Sequence, residues 1–223
     1  MAVTGQETLR IDTSRGEVTG LWEWPAAARA AVVVAHGAGG DMHSPLLEGF
    51  AECLYEATFG TLRFNFPYAE QGRKTPDPGP RLIDAYRSAF EAAKSRVGIK
   101  HVFVGGKSLG GRIASMAVAE GMAADGLVFL GYPLHPPGKP DRLRDEHLSR
   151  IRVPMLFLQG TADPFARFDL IKDLVDRLGR WAVLHAVEGG DHSFRVKGEG
   201  RHDAETGRLL GSVTARFIQS AQV

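Results

Sequence analysis

The feature that most limits what this chain can fold into is the run Val102-Phe103-Val104-Gly105-Gly106-Lys107-Ser108-Leu109-Gly110-Gly111. A β-prone apolar stretch leads straight into Gly106-x-Ser108-x-Gly110, and a helix-like segment follows. That is the layout of a nucleophile elbow, in which a serine occupies a tight strand-to-helix turn with its hydroxyl lifted clear of the sheet. The glycines have a steric purpose: the serine backbone is strained, and side chains beside it would collide with the adjoining strand and helix. The N–H of Leu109 would open the helix and point at the same space as the hydroxyl. Two other readings compete. One is a plain glycine-rich turn, since 27 of the 223 residues are Gly. The other is a phosphate loop, because Gly106-Lys107-Ser108 resembles the end of G-x-x-x-x-G-K-[ST]. That motif needs a glycine five residues before Gly106, and His101 stands there, so the cradle of backbone N–H groups would be incomplete.

A chain of 223 residues fits one α/β domain, spanning residues 1–223, with enough length to bury a substantial core. Its 43% hydrophobic and 24% charged residues are those of an ordinary globule. The formal net charge of +1 gives no global field toward nucleic acid or a membrane surface. The one cysteine, Cys53, excludes an intrachain disulfide and reads as a small buried apolar residue. The opening residues lack the basic and apolar regions of a secretory leader, and no run approaches the roughly 18 apolar residues of a membrane span. The expectation is a soluble, cytoplasmic monomer or homodimer with no nucleic-acid or membrane partner.

Apolar runs alternate with helical patterns along the chain. Residues 9–13 and 18–24 read as two opening strands, the second antiparallel with one solvated face. Residues 30–35, 61–66, 101–104, 127–130, 155–158 and 181–187 read as six more. Helices are expected over residues 45–57, 81–96, 108–120, 165–178 and 203–219, with Ser44 as N-cap and Pro45 at the first helical position of the earliest. Residues 67–80, rich in Pro, Gly and charge, read as a long loop. This alternation implies a mostly parallel eight-stranded sheet with helices on both faces, and ligands gather at the carboxyl ends of such strands.

Four strand ends carry capable residues. After residues 30–35 comes His36-Gly37-Ala38-Gly39-Gly40, a turn whose backbone N–H groups can face a cavity. The N–H of Ala38, with Gly39 as runner-up, would join that of Leu109 in stabilising a developing oxyanion. In the plainer reading, His36 merely braces the turn. Asp163 follows residues 155–158, and Pro164 keeps its carboxylate outside the next helix. His192 follows residues 181–187 in Gly189-Gly190-Asp191-His192. The order Ser108, Asp163, His192, at intervals of 55 and 29 residues, suits a serine activated by a histidine that a carboxylate orients. Taken singly, the aspartate reads as a helix entrance and the histidine as part of a solvated turn. Asp191 competes for the acid role, though sequence neighbours rarely orient each other well. Asp41 and His43 beside His36 form a weak metal candidate; no metal or organic cofactor is expected.

Residues 32–40, 105–112 and 189–194 together resemble an α/β-hydrolase, and more narrowly the dienelactone-hydrolase-like group. Arg63-Phe64-Asn65-Phe66-Pro67-Tyr68 and Gly131-Tyr132-Pro133-Leu134 fit that group as well. The resemblance runs from about Leu9 to the C-terminus. It implies an α/β-hydrolase fold and hydrolytic activity. One departure argues against dienelactone itself as substrate: dienelactone hydrolases proper carry cysteine at the elbow, and here Ser108 stands there.

The stretch where many hydrolases insert a lid, residues 132–150, is too short for a full cap. An open site suits a small-molecule acyl substrate, an ester or thioester cleaved through an acyl-enzyme. Tyr68, Tyr132, Leu134, Phe165 and Phe194 are candidate apolar walls, with Gly39 beside them; loop packing explains the aromatic and aliphatic side chains equally well. Lys107 and Arg112 either attract an anionic substrate group or support the elbow. The alternative function is a catalytically silent binding or scaffold protein on the same fold.

Overall fold

A computed structural model describes residues 5–96 and 98–221; residues 1–4 of the opening stretch read above lie outside the described residues. The strands are β1 (Gln6–Thr13), β2 (Gly16–Glu23), β3 (Ala30–Ala35), β4 (Gly60–Phe64), β5 (His101–Lys107), β6 (Gly126–Leu130), β7 (Met155–Gly160) and β8 (Ala182–Val187). The helices are α1 (Pro45–Glu56), α2 (Pro67–Glu70), α3 (Gly79–Lys94), α4 (Leu109–Ala119), α5 (Phe168–Leu178) and α6 (Asp203–Ala221). All eight strands join one sheet in the order β1-β2-β4-β3-β5-β6-β7-β8. β2 pairs antiparallel with β1 and β4, and the pairings from β4 through β8 are all parallel.

The period of two along a strand explains how this sheet is held. In β3, Ala31, Val33 and Ala35 face a core shared with α3, α4 and α5, while Ala30, Val32 and Val34 face a second core shared with α1 and α6. A strand apolar on every residue is therefore covered on both faces, and six buried residues in a row are the consequence. β2 departs from the expected half-solvated pattern. Its residues Gly20–Glu23 are all buried, and Glu23 lies in the interior because Arg63 of β4 ion-pairs with it at 3.3 Å.

Three expected boundaries shift for identifiable reasons. The loop foreseen over residues 67–80 contains α2 and the first two residues of α3. Pro67 stands in the first turn of α2, where its fixed φ suits a helix, and the Tyr68 ring is fully buried. α5 starts at Phe168 rather than Phe165, because the Phe165 carbonyl, which a helix begun there would offer to residue 169, accepts the His135 N–H at 2.9 Å instead. Ser44 holds the N-cap position of α1, but its hydroxyl makes no capping hydrogen bond. Among the described residues, no helix is long and apolar enough to cross a membrane.

α1 and α6 approach closely because glycines line their contact. A Cβ on Gly49 would stand 2.0 Å from Ala204 O, and one on Gly207 would stand 2.0 Å from Leu46 O. Ala is normally favoured over Gly inside a helix by about 1 kcal/mol. Here overlap with backbone reverses the sign, and Gly207→Ala is expected to cost about 1–3 kcal/mol. Calorimetry should show a lower melting temperature; a higher one would mean that α6 yields freely.

Candidate active site

The carboxyl ends of β3, β5, β7 and β8 bring the site together. β5 runs out at Lys107, and Ser108 turns the chain with φ 50° and ψ −110°, a left-handed conformation rare for a residue with a side chain. Its N–H donates to Leu130 O on the neighbouring strand at 3.1 Å. The glycines on either side are sterically required. A Cβ on Gly106 would lie 2.3 Å from Ala35 O, and one on Gly110 would lie 2.4 Å from the same oxygen.

The three chemically capable side chains form one chain of hydrogen bonds. Ser108 Oγ lies 2.8 Å from His192 Nε2, and His192 Nδ1 lies 2.7 Å from Asp163 Oδ2. Asp163 is 4% exposed, and its carboxylate is held from three sides. Besides the imidazole, Gln159 Nε2–H donates to Oδ2 at 2.6 Å and Phe165 N–H donates to Oδ1 at 2.8 Å. Gln159 is itself fixed, since its Oε1 accepts the Tyr132 N–H at 2.8 Å. The Phe165 ring packs on the imidazole, with centroids 4.3 Å apart. Asp191 serves its own loop: its Oδ1 accepts the N–H of Ser193 at 2.7 Å and of Arg195 at 3.0 Å. The loops bearing Asp163 and His192 are stitched together by Thr161 N–H to Val187 O (3.0 Å) and Ala162 N–H to Gly190 O (2.9 Å).

The turn after β3 lies against the elbow: a Cβ on Gly37 would sit 3.7 Å from Ser108 Cβ. Ala38 is exposed, and Gly39 is half-buried with φ 74°. Among the described residues, neither the Ala38 nor the Leu109 N–H has a hydrogen-bond acceptor. The turn is braced from β4 and the residues after it. Met42 O accepts from Arg63 Nη1 at 2.9 Å, and Met42 N–H donates to Asn65 Oδ1 at 3.0 Å. His36 Nε2 accepts the Phe66 N–H at 3.1 Å, which assigns the ring proton to Nδ1, 2.8 Å from Gly37 O. Arg63, Asn65 and Gln159 were not singled out as site residues from the sequence. Their partners are backbone atoms and side chains that only the folded chain brings near.

Four candidate walls are corrected. Tyr68, Tyr132, Leu134 and Phe194 are at most 1% exposed and belong to the two cores. Burial pushes the Tyr68 phenol up to about 12, and its hydroxyl donates to Gly37 O at 3.3 Å, a brace rather than a wall. Phe165 and Gly39 remain at the site surface. Lys107 does not point at incoming substrate: its Nζ donates to the backbone carbonyl of His192 at 2.5 Å. Arg112 lies near Tyr132, His147 and Arg144, where its charge is felt by all three. Residues 132–150 contain one 3-10 turn at Glu146–Arg150 and form no cap. Among the described residues, no group of three or more His, Cys, Asp or Glu stands together as a metal site.

Two histidines link folding to pH. Burial lowers His36 below its ordinary 6.5, and burial together with the charges of Arg112 and Arg150 lowers His147 to about 4. Each takes up a proton less readily in the folded protein than in the unfolded chain. Their stabilising contribution is therefore complete above pH 6.5 and is lost as pH falls below it. Unfolding free energy measured by urea titration should decline from pH 6.5 to 5, and the double variant His36→Asn/His147→Asn should flatten that slope. An equal slope in the variant would remove both residues from the account.

A family model described as an alpha/beta hydrolase domain matches residues 28–219. Among solved structures, a lidless α/β serine hydrolase from Xanthomonas campestris is 21% identical, with a TM-score of 0.77 over 96% of this chain and 95% of that one. An α/β serine hydrolase homologue from Coxiella burnetii is 18% identical, with a TM-score of 0.76 over 98% and 100%. A dienelactone hydrolase from Anabaena variabilis is 19% identical, with a TM-score of 0.76 over 96% and 97%. Identities this low speak for a shared fold. The family match covers most of the sequence, and with the lidless eight-stranded sheet and the serine elbow at its centre, the chain belongs to the α/β-hydrolase family.

Proposed function

We propose that this protein is a serine hydrolase that cleaves a small carboxylic ester or thioester through an acyl-enzyme on Ser108. The observation that carries the proposal is the unbroken hydrogen-bond chain from Ser108 Oγ through His192 to Asp163, with links of 2.8 and 2.7 Å. A serine hydroxyl is a weak nucleophile until a neighbouring base takes its proton. His192 Nε2 is placed to accept that proton as Ser108 Oγ attacks the carbonyl carbon. Asp163 holds the imidazole in the tautomer with its proton on Nδ1 and stabilises the charged ring that forms. The N–H groups of Ala38 and Leu109 receive the carbonyl oxygen as it becomes an oxyanion, with Gly39 N–H as second choice. His192 then gives its proton to the leaving group. A water molecule, deprotonated by His192, attacks the acyl-enzyme and frees the acid and Ser108.

The lack of a cap over residues 132–150 supports substrates reached directly from solvent rather than long lipid chains drawn into a tunnel. A dienelactone is not the favoured substrate, because the elbow carries a serine. The chemistry calls for no metal or organic cofactor.

Ser108→Ala should lower kcat/KM for a short p-nitrophenyl ester by at least about a thousandfold, the scale seen when a nucleophile that acts with its base is removed. Near-wild-type turnover by the purified, folded variant would take Ser108 out of the mechanism.

A further inference from the structure

Lysine ammonium groups seek water, and the side chain of Lys107 does the reverse. Its Nζ donates to His192 O at 2.5 Å and lies 5.8 Å from the centroid of the buried Phe194 ring. Gly131, at φ 73°, borders the slot. A Cβ on Gly131 would come within 3.3 Å of Nζ, 3.4 Å of His192 O and 3.6 Å of His192 Nδ1, so the ammonium and the imidazole flank one small space. Among the described residues, Lys107 has no ion-pair partner in direct contact. The charges that face it are those of Asp163 on the loop after β7 and Asp191 on the loop after β8. Lys107 is half-buried, and a cation drawn partly out of water without a contacting carboxylate costs stability that an apolar side chain of similar length avoids. Packing alone therefore does not account for a lysine here.

We propose that Lys107 is a positioning residue: its ammonium, delivered from the strand that carries the nucleophile, tethers the loop that carries His192 through the His192 backbone carbonyl. This rests on the hydrolase reading of the site. The elbow and the base belong to segments 84 residues apart in sequence, and the Ser108–His192 contact is itself a single hydrogen bond. The tether adds a second link between those segments, one residue before the nucleophile and at the base itself. It acts on the geometry of the base rather than on substrate, so its loss should appear in kcat and leave KM nearly unchanged. The charge matters as well as the length. Burial lowers the Lys107 ammonium to about 8, against the opposing pull of Asp163 and Asp191. The tether is charge-assisted below that pH and weakens above it.

The test compares wild type, Lys107→Met and Lys107→Arg by ester hydrolysis between pH 6.5 and 9.5 and by hydrogen–deuterium exchange of residues 189–194. Lys107→Met should lower kcat about ten- to a hundredfold, the worth of one charge-assisted hydrogen bond, with KM within about twofold and faster exchange of that loop. Wild-type kcat should sag as pH rises through about 8, whereas Lys107→Arg, whose guanidinium stays charged, should recover part of the activity and lose the sag. Wild-type kcat together with wild-type exchange in Lys107→Met would overturn the proposal. So would a fall in melting temperature with kcat intact, which marks a packing role. Exchange needs no turnover, so an inactive wild type would sink the hydrolase reading while the tether is still decided by the loop.

Discussion

The contact on which the rest of this structure depends is the approach of the Ala35 carbonyl, at the end of β3, to the backbone of the elbow. Gly106 and Gly110 both lie so near that oxygen that a single added carbon on either would overlap it. This close packing seats α4 against the sheet and holds Ser108 in its strained, left-handed conformation. It also brings the turn after β3 beside the serine, so the free N–H groups of Ala38 and Leu109 belong to one small region. A bulkier residue at position 106 or 110 would separate these parts at once. Strain at Ser108 is sustained because strands on both sides and a helix behind leave the backbone no alternative.

Around that fixed point, polar groups from distant segments are tied mainly through backbone atoms. Gln159 links Asp163 to the backbone of Tyr132, and His36 links the turn after β3 to Phe66. Arg63 is shared between buried Glu23 and Met42 O, joining the sheet interior to the same turn. Asp191 shapes the loop that presents His192. Each side chain of the proposed triad is thus held by a group that takes no part in the chemistry, which is the preorganisation a site on loops requires.

The continuous apolar runs alternating with helical patterns and the G-x-S-x-G turn made the sheet, its two covered faces and the elbow legible in the amino-acid sequence. The order of Ser108, Asp163 and His192, each after a strand-like run, pointed to the three side chains that the fold brings into contact. Other features left no trace of that kind. The burial of Tyr68 and Phe194 follows from which way a short turn faces, and composition does not encode that. α2 was masked by the Pro, Gly and charge around it, since four residues are too few to show a period. For Lys107 the sequence left an anionic substrate and support of the elbow both open, because its partner is a backbone carbonyl, and every residue carries one. Gln159 belongs to no recognisable motif, and its role exists only where β7 meets the loop after β6.

The central claim is that a hydroxyl on a strained turn is activated by an imidazole brought from the far end of the sheet. Labelling with a fluorophosphonate probe, followed by mapping of the modified peptide, tests this without knowledge of the natural substrate. The expected result is fast, stoichiometric modification of Ser108 in the wild-type protein and little or none in His192→Gln. Equal labelling of both proteins, or an unreactive Ser108 in folded wild type, would contradict the account.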